Sequence, residues 1–220
     1  MIIRKINGIV EKVIAPKYKK VYQFFYFKSL RKRLVNTDFS LISPNCYAGI
    51  IYHRLGLRFT SPTINLLFPI KKQYLKFVSN LEYYLKLDLQ FIKDEKYRCP
   101  VAMLDDVKIV FNHYKTETES SELWNKRKQR INYRNLFIIF DDCADAEYKD
   151  LLAFENLDCK GKVILSPRKY NGLNHIIQIS KYKEMTKMPA YLLDESMWTG
   201  KNVADSDFDF VSWLNGTLKY

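Results

Sequence analysis

Residues Leu136–Phe140 read Leu-Phe-Ile-Ile-Phe, apolar without a break, and Asp141 and Asp142 follow at once. A strand with one wet face alternates apolar and polar residues. A run with no polar member is covered on both faces, as in a parallel sheet held between helical layers. Two shorter, mostly apolar runs, Phe39–Ser43 and Lys162–Leu165, also read as strands. Together they exclude an all-helical fold.

The other segments fit around these strands. Tyr18 to Val35 lacks Gly and Pro and reads as a long helix; Cys46 to Leu55 reads as a second, stopped by Gly56. Arg58 to Leu67 is β-rich but broken by Pro62, which suits an edge strand. Pro69 marks the start of a helix to about Lys86, and Leu87–Ile92 reads as a strand. Val101–Leu104 and Val107–His113 form a hairpin about Asp105-Asp106. Ser120 or Ser121 caps a helix to about Ile131, a helix covers about Ala146 to Phe154, and a short one closes the chain near Phe208–Leu214. Helices alternating with strands around a hairpin predict an α/β three-layer sandwich with a mixed, mostly parallel sheet. The expected division is a helical extension over residues 1–36 and a single α/β domain over 37–220.

Charge supports that division. Of the net +12, residues 1–36 carry +9, from ten Lys/Arg against Glu11, and leave +3 for the rest. Six aromatic residues lie between Tyr18 and Phe27. Basic flanks around aromatic rings suit a helix lying on an anionic membrane surface, or equally one packed on the domain with its lysines in water. Nucleic acid is disfavoured, because no recognised binding motif accompanies the charge. No run of 18 apolar residues and no signal-peptide pattern occurs, so the expected location is cytoplasmic, peripheral on the inner membrane face if the helix binds lipid. The four cysteines match no zinc spacing and are expected to be reduced.

Candidate site residues follow the strand ends, where ligands sit in open α/β sheets. Ser43, Asn45, Tyr47 and Gly49 lie between the first strand and its helix; Ser43 and Asn45 suit hydrogen bonds to a sugar or phosphate, or a plain helix cap. Ser61, Thr63 and Asn65 form a second polar island, a candidate opposite wall. Asp141 and Asp142 are candidate catalytic residues and candidate ligands for Mg2+ or Mn2+ holding a diphosphate, with helix capping as the plainer role. His53 and His113 are each a candidate general base, with a purely structural role as the plainer reading of a lone histidine. The basic run from Lys126 to Arg130, with Arg134, suits a phosphate clamp or, more simply, a solvated helix face. Neither a nucleotide-binding glycine loop nor a nucleophile elbow is present.

The run Ser43, Pro44, Asn45, Cys46, Tyr47, Ala48, Gly49, continued through Leu55-Gly56-Leu57 to Ser61-Pro62-Thr63-Ile64-Asn65, resembles a bacterial family labelled exopolysaccharide biosynthesis proteins. Leu136–Asp142 and Gly161–Ser166 fit it more generically, so the resemblance spans roughly 37–215. Tyr47 stands where that family has Trp, and Ala48 where it has Gly; both keep an aromatic followed by a small residue. The resemblance implies a pathway, surface-glycan synthesis, and carries no catalytic residues. The expectation is a transferase of a sugar or decorating group, using a nucleotide sugar or glycan intermediate. The alternative is a non-catalytic binding or scaffold protein of a glycan-assembly complex.

Overall fold

The computed structural model describes residues 14–143, 145–189 and 195–220. The amino-terminal helix α1 covers Ala15–Arg33, with Pro16 in its first turn, where the missing N–H costs nothing. Strand β1 is Ser40–Ile42, and α2, Tyr47–Leu55, ends at Gly56 in the left-handed conformation (φ 69°). Two helices follow, α3 at Lys71–Ser79 and α4 at Leu81–Lys86, where one was expected. Asn80 leaves helical geometry between them (φ −131°, ψ 42°), consistent with its weak helix propensity. The bend lets Leu81, Tyr84 and Leu85 join Tyr74 and Phe77 in one core.

Strands β2 (Gln90–Ile92), β3 (Val101–Leu104) and β4 (Val107–Val110) form a separate antiparallel sheet. Its hairpin turns at Asp105, with φ 53°. Helix α5, Glu117–Lys128, is capped by Thr116, whose side chain accepts from Glu119 N, rather than by Ser120 or Ser121. Ser120 instead donates to Thr116 O from inside the helix. Strand β5 (Leu136–Asp141), α6 (Tyr148–Glu155) and β6 (Gly161–Ser166) make a parallel β–α–β unit. Strand β7 (Ile176–Gln178), not expected from sequence, and α7 (Phe210–Leu214) complete the elements used below.

The main sheet is wholly parallel, in the order β1-β5-β6-β7, with Ile42 beside Ile138 and Asp141 beside Leu165. The fold is therefore α/β, and the mixed sheet expected from sequence resolves into a parallel sheet and a small antiparallel one. The unbroken apolar run of β5 is explained by its neighbours. Phe137 and Ile139 pack with α2 and α7 on one face, and Ile138 and Phe140 with α3 and α6 on the other. Residues 58–66 form no strand. The chain turns there and joins β4 only by a bridge between Leu67 and Val110.

Candidate functional site

Because the main sheet is parallel, the carboxyl ends of β1, β5 and β6 lie side by side. Ser43 leaves β1 and its Oγ donates to Asn45 O (2.6 Å) and accepts from Ala48 N (3.0 Å), closing the first turn of α2. Asn45 Oδ1 accepts from Tyr47 N (3.0 Å), which leaves Nδ2 to donate to Asp141 Oδ2 at 3.4 Å. Residues 96 positions apart thus meet at one edge of the sheet.

Asp141 is fully buried. Cys143 Sγ donates to its Oδ2 (3.2 Å), and Lys71 Nζ stands 3.3 Å from its Oδ1. That second oxygen has no hydrogen-bond partner among the described residues. Burial, and then the Asp141 charge, push the Cys143 thiol well up, so it stays protonated and serves as a donor. Lys71 is held twice, its Nζ by Asp141 at the end of β5 and its backbone N by Asp145 Oδ2 (2.5 Å) in the segment that follows. Its Nζ also donates to Phe68 O (3.3 Å), and Phe68 N in turn donates to Pro44 O (2.8 Å).

Asp142 is equally buried but faces other partners. Ser166 Oγ (2.9 Å) and Tyr170 OH (2.8 Å) donate to its Oδ2, and Lys187 Nζ (2.5 Å) to its Oδ1. Burial, and then the hydrogen bond to Asp142, push the Tyr170 phenol up to about 12. Arg168, exposed, lies over the Tyr170 ring at 5.6 Å. Among the described residues the two carboxylates share no partner, and each is met by its own ammonium group. Among the described residues no group of three or more His, Cys, Asp or Glu is arranged to hold a metal ion. An ammonium already seated on each carboxylate competes with a divalent cation there.

The remaining candidates lie elsewhere. Tyr47 is buried, and its OH points to Asp205 Oδ1 (3.4 Å). Asp205 forms an enclosed ion pair with Arg54 (2.6 Å) that ties α2 to the segment before α7. Ser61 and Thr63 are buried and bonded to each other (Oγ···Oγ1 3.0 Å), with Thr63 N donating to Ser61 Oγ. Their turn delivers Asn65 in the left-handed conformation (φ 61°). Gly49, His53 and Asn65 come together in a separate groove of about 380 Å³ between α1 and α2, with Gln23, Phe27 and Phe59. A side chain at position 49 would press on Asn65 Oδ1 at 3.1 Å, which explains the glycine. No hydrogen bond or ion pair among the described residues joins His53 to Asp141 or Asp142.

Sequence reasoning missed Lys71, Ser166, Tyr170 and Lys187. A signal for Lys71 exists: Lys71 and Lys72 open α3, where the helix dipole disfavours cations and a compensating acid is needed. Asp145 is that acid.

A family model described as "Domain of unknown function (DUF1919)" matches residues 17–215, so most of α1 falls within the match. An uncharacterized protein of Haemophilus influenzae is 33% identical over 196 residues, covering 89% of this chain and 93% of its own length. Extensive in both comparisons, this similarity places the chain in the DUF1919 family.

Proposed function

We propose that the protein is a transferase of cell-surface glycan assembly that takes an anionic, diphosphate-linked sugar at the carboxyl edge of the parallel sheet. The observation that supports this most is the pairing of Asp141 with Lys71 and of Asp142 with Lys187 beside Asn45. Buried carboxylates there act as positioning residues. They hold ammonium groups at a strand edge where α/β proteins take phosphorylated ligands. Lys187 is partly exposed, and Tyr170 and Arg168 lie beside it, so the accessible rim is basic. In this reading Arg168 and the partly exposed Lys187 meet the diphosphate charge at the rim while Lys71 stays with Asp141 in the interior, and the Asn45 amide offers a hydrogen bond to the sugar. The assignment to surface glycans rests on the resemblance of the Ser43–Asn65 block, and the ligand chemistry rests on the lysines.

The test is thermal stability with a panel of nucleotide sugars, each with and without Mg2+ or Mn2+. A ligand at a hundred times its Kd adds about 2.7 kcal/mol. Stabilisation by one donor, independent of metal and lost in Lys187→Gln, is the expected result. No stabilisation by any donor would overturn it.

One observation favours a second reading, a non-catalytic glycan-binding or scaffold role: Asp141 and Asp142 are fully enclosed, and His53 sits in the other groove. Polymer production that survives Asn45→Ala and Lys187→Gln would favour that role.

A further inference from the structure

Helix α1 is apolar on two faces, and the body of the protein covers only one. Ala15 and Leu30 are buried, Tyr26 and Phe27 are packed against the same core, and Arg31 donates to Arg54 O at the end of α2 (3.0 Å). On the opposite face Val21 is 60% exposed, Phe24 63% and Phe25 64%. At 3.6 residues per turn, Lys17, Tyr18, Val21, Phe24, Phe25, Lys28 and Lys32 share that outer half. A contiguous exposed patch of large apolar residues marks a contact surface.

A second segment, about 180 residues away in the chain, extends the patch. Trp198, 39% exposed, stands edge-on to Tyr18 with ring centroids 6.0 Å apart, and Met197 beside it is half exposed. Lys201 lies over the Tyr26 and Tyr22 rings at 4.7 and 5.8 Å. The neighbouring acid is neutralised, since Glu195 pairs with Lys19 (2.8 Å). Lys17, Lys20, Lys28 and Lys32 make no ion pair among the described residues.

We infer that the outer face of α1, together with Met197 and Trp198, is a monotopic membrane surface that seats on an anionic phospholipid bilayer. The choice of occupant follows from charge complementarity. Aromatic rings flanked by unpaired lysines, with Trp and Tyr at the border, match the acyl–headgroup boundary of an acidic leaflet. A second copy of this chain would bring the same four lysines against themselves. No helix among the described residues is long and apolar enough to cross a membrane, so the protein lies on the surface. This inference uses none of the residues of the sheet-edge site and stands or falls apart from the transferase reading.

The test is co-sedimentation with vesicles of phosphatidylcholine, alone and mixed with phosphatidylglycerol, combined with tryptophan fluorescence. Trp124 and Trp213 are buried, so Trp198 is the tryptophan that a vesicle reaches. Expected are sedimentation with the acidic vesicles only, a blue shift of emission, and weakening by salt. Phe24→Ser with Phe25→Ser is expected to lower partitioning roughly a hundredfold. Each Lys→Gln among the four is expected to lower it roughly fivefold. Trp198→Phe keeps sedimentation and abolishes the shift. The two phenylalanines are exposed, so unchanged circular dichroism of that variant confirms that its fold is intact. No sedimentation with either vesicle, equal sedimentation with both, or self-association removed by Phe24→Ser/Phe25→Ser without vesicle binding would each overturn the inference.

Discussion

Lys71 and Asp141 illustrate how a buried charge pair is judged by what each partner would be without the other. Both side chains are at most 5% exposed. Removing the lysine alone, as Lys71→Met, strands a carboxylate in the core, and such losses run to about 3–5 kcal/mol. The double variant Lys71→Met/Asp141→Asn leaves no charge behind and is expected to recover most of that loss in urea unfolding. The thiols obey the same logic. Burial pushes Cys46 up to about 11 and, with the Asp141 charge, raises Cys143 as well. Alkylation at neutral pH, followed by peptide mass spectrometry, is expected to label the partly exposed Cys99 first and Cys143 only on unfolding. For Tyr170 the sign runs the other way from a carboxylate in an ion pair. Its folded pKa, about 12, lies above the ordinary value for a phenol. The stability it contributes is therefore complete below pH about 10 and is lost as pH rises through about 12. A Tyr170→Phe variant is expected to lose less stability than the parent over that alkaline range. Asp141 and Asp142 stood out in sequence because they end the most apolar strand. Lys71 and Lys187 did not, because a lysine in a polar stretch looks the same whether its ammonium reaches water or a carboxylate.

Among the elements, α2 depends on its exit. Gly56 has φ 69°, and a Cβ added there would also meet the Arg31 guanidinium at 3.1 Å. Gly56→Ala is therefore expected to cost about 1–2 kcal/mol from the backbone alone, more if Arg31 is displaced, as read from thermal or urea unfolding. That stop was legible in sequence, since a glycine after a helical run has a single physical purpose. So were β1, β5 and β6, because burial on both faces leaves apolar residues side by side: Leu41-Ile42, Leu136–Phe140 and Val163–Leu165. Other boundaries depended on tertiary contacts. Strand β7 is three residues long and is defined by its pairing with β6. The residues after Arg58 have β-rich composition, yet Pro62 and the Ser61–Thr63 turn bend them under the edge of β4. Thr116 outcompeted Ser120 as a cap because the helix starts where the charged residues Glu117 and Glu119 complement its dipole.

At the scale of the molecule, the sheet-edge cluster draws on segments near residues 45, 71, 142, 166 and 187. Strand ends are predictable places for side chains to converge, which is why Ser43, Asn45, Asp141 and Asp142 were visible. The groove that takes Gly49, His53 and Asn65 instead was not, because its second wall is α1. Whether α1 is an appendage or part of the fold has a direct consequence. The helix is anchored along its inner face by Leu30, by the Arg33–Asp209 ion pair, and by Asn215, which accepts from Val35 N (2.9 Å) and Asn36 N (3.2 Å). Burial of Leu30 alone is worth roughly 2 kcal/mol. A chain beginning at residue 37 is therefore expected to unfold at a lower temperature and lower urea concentration than the full chain. Phe24→Ser/Phe25→Ser, confined to the outer face, is expected to leave both unchanged. If the truncated chain proved as stable as the full one, the inner-face contacts would carry no weight. The amino-terminal segment would then be a tether, and its exposed rings would not be held in register with Trp198.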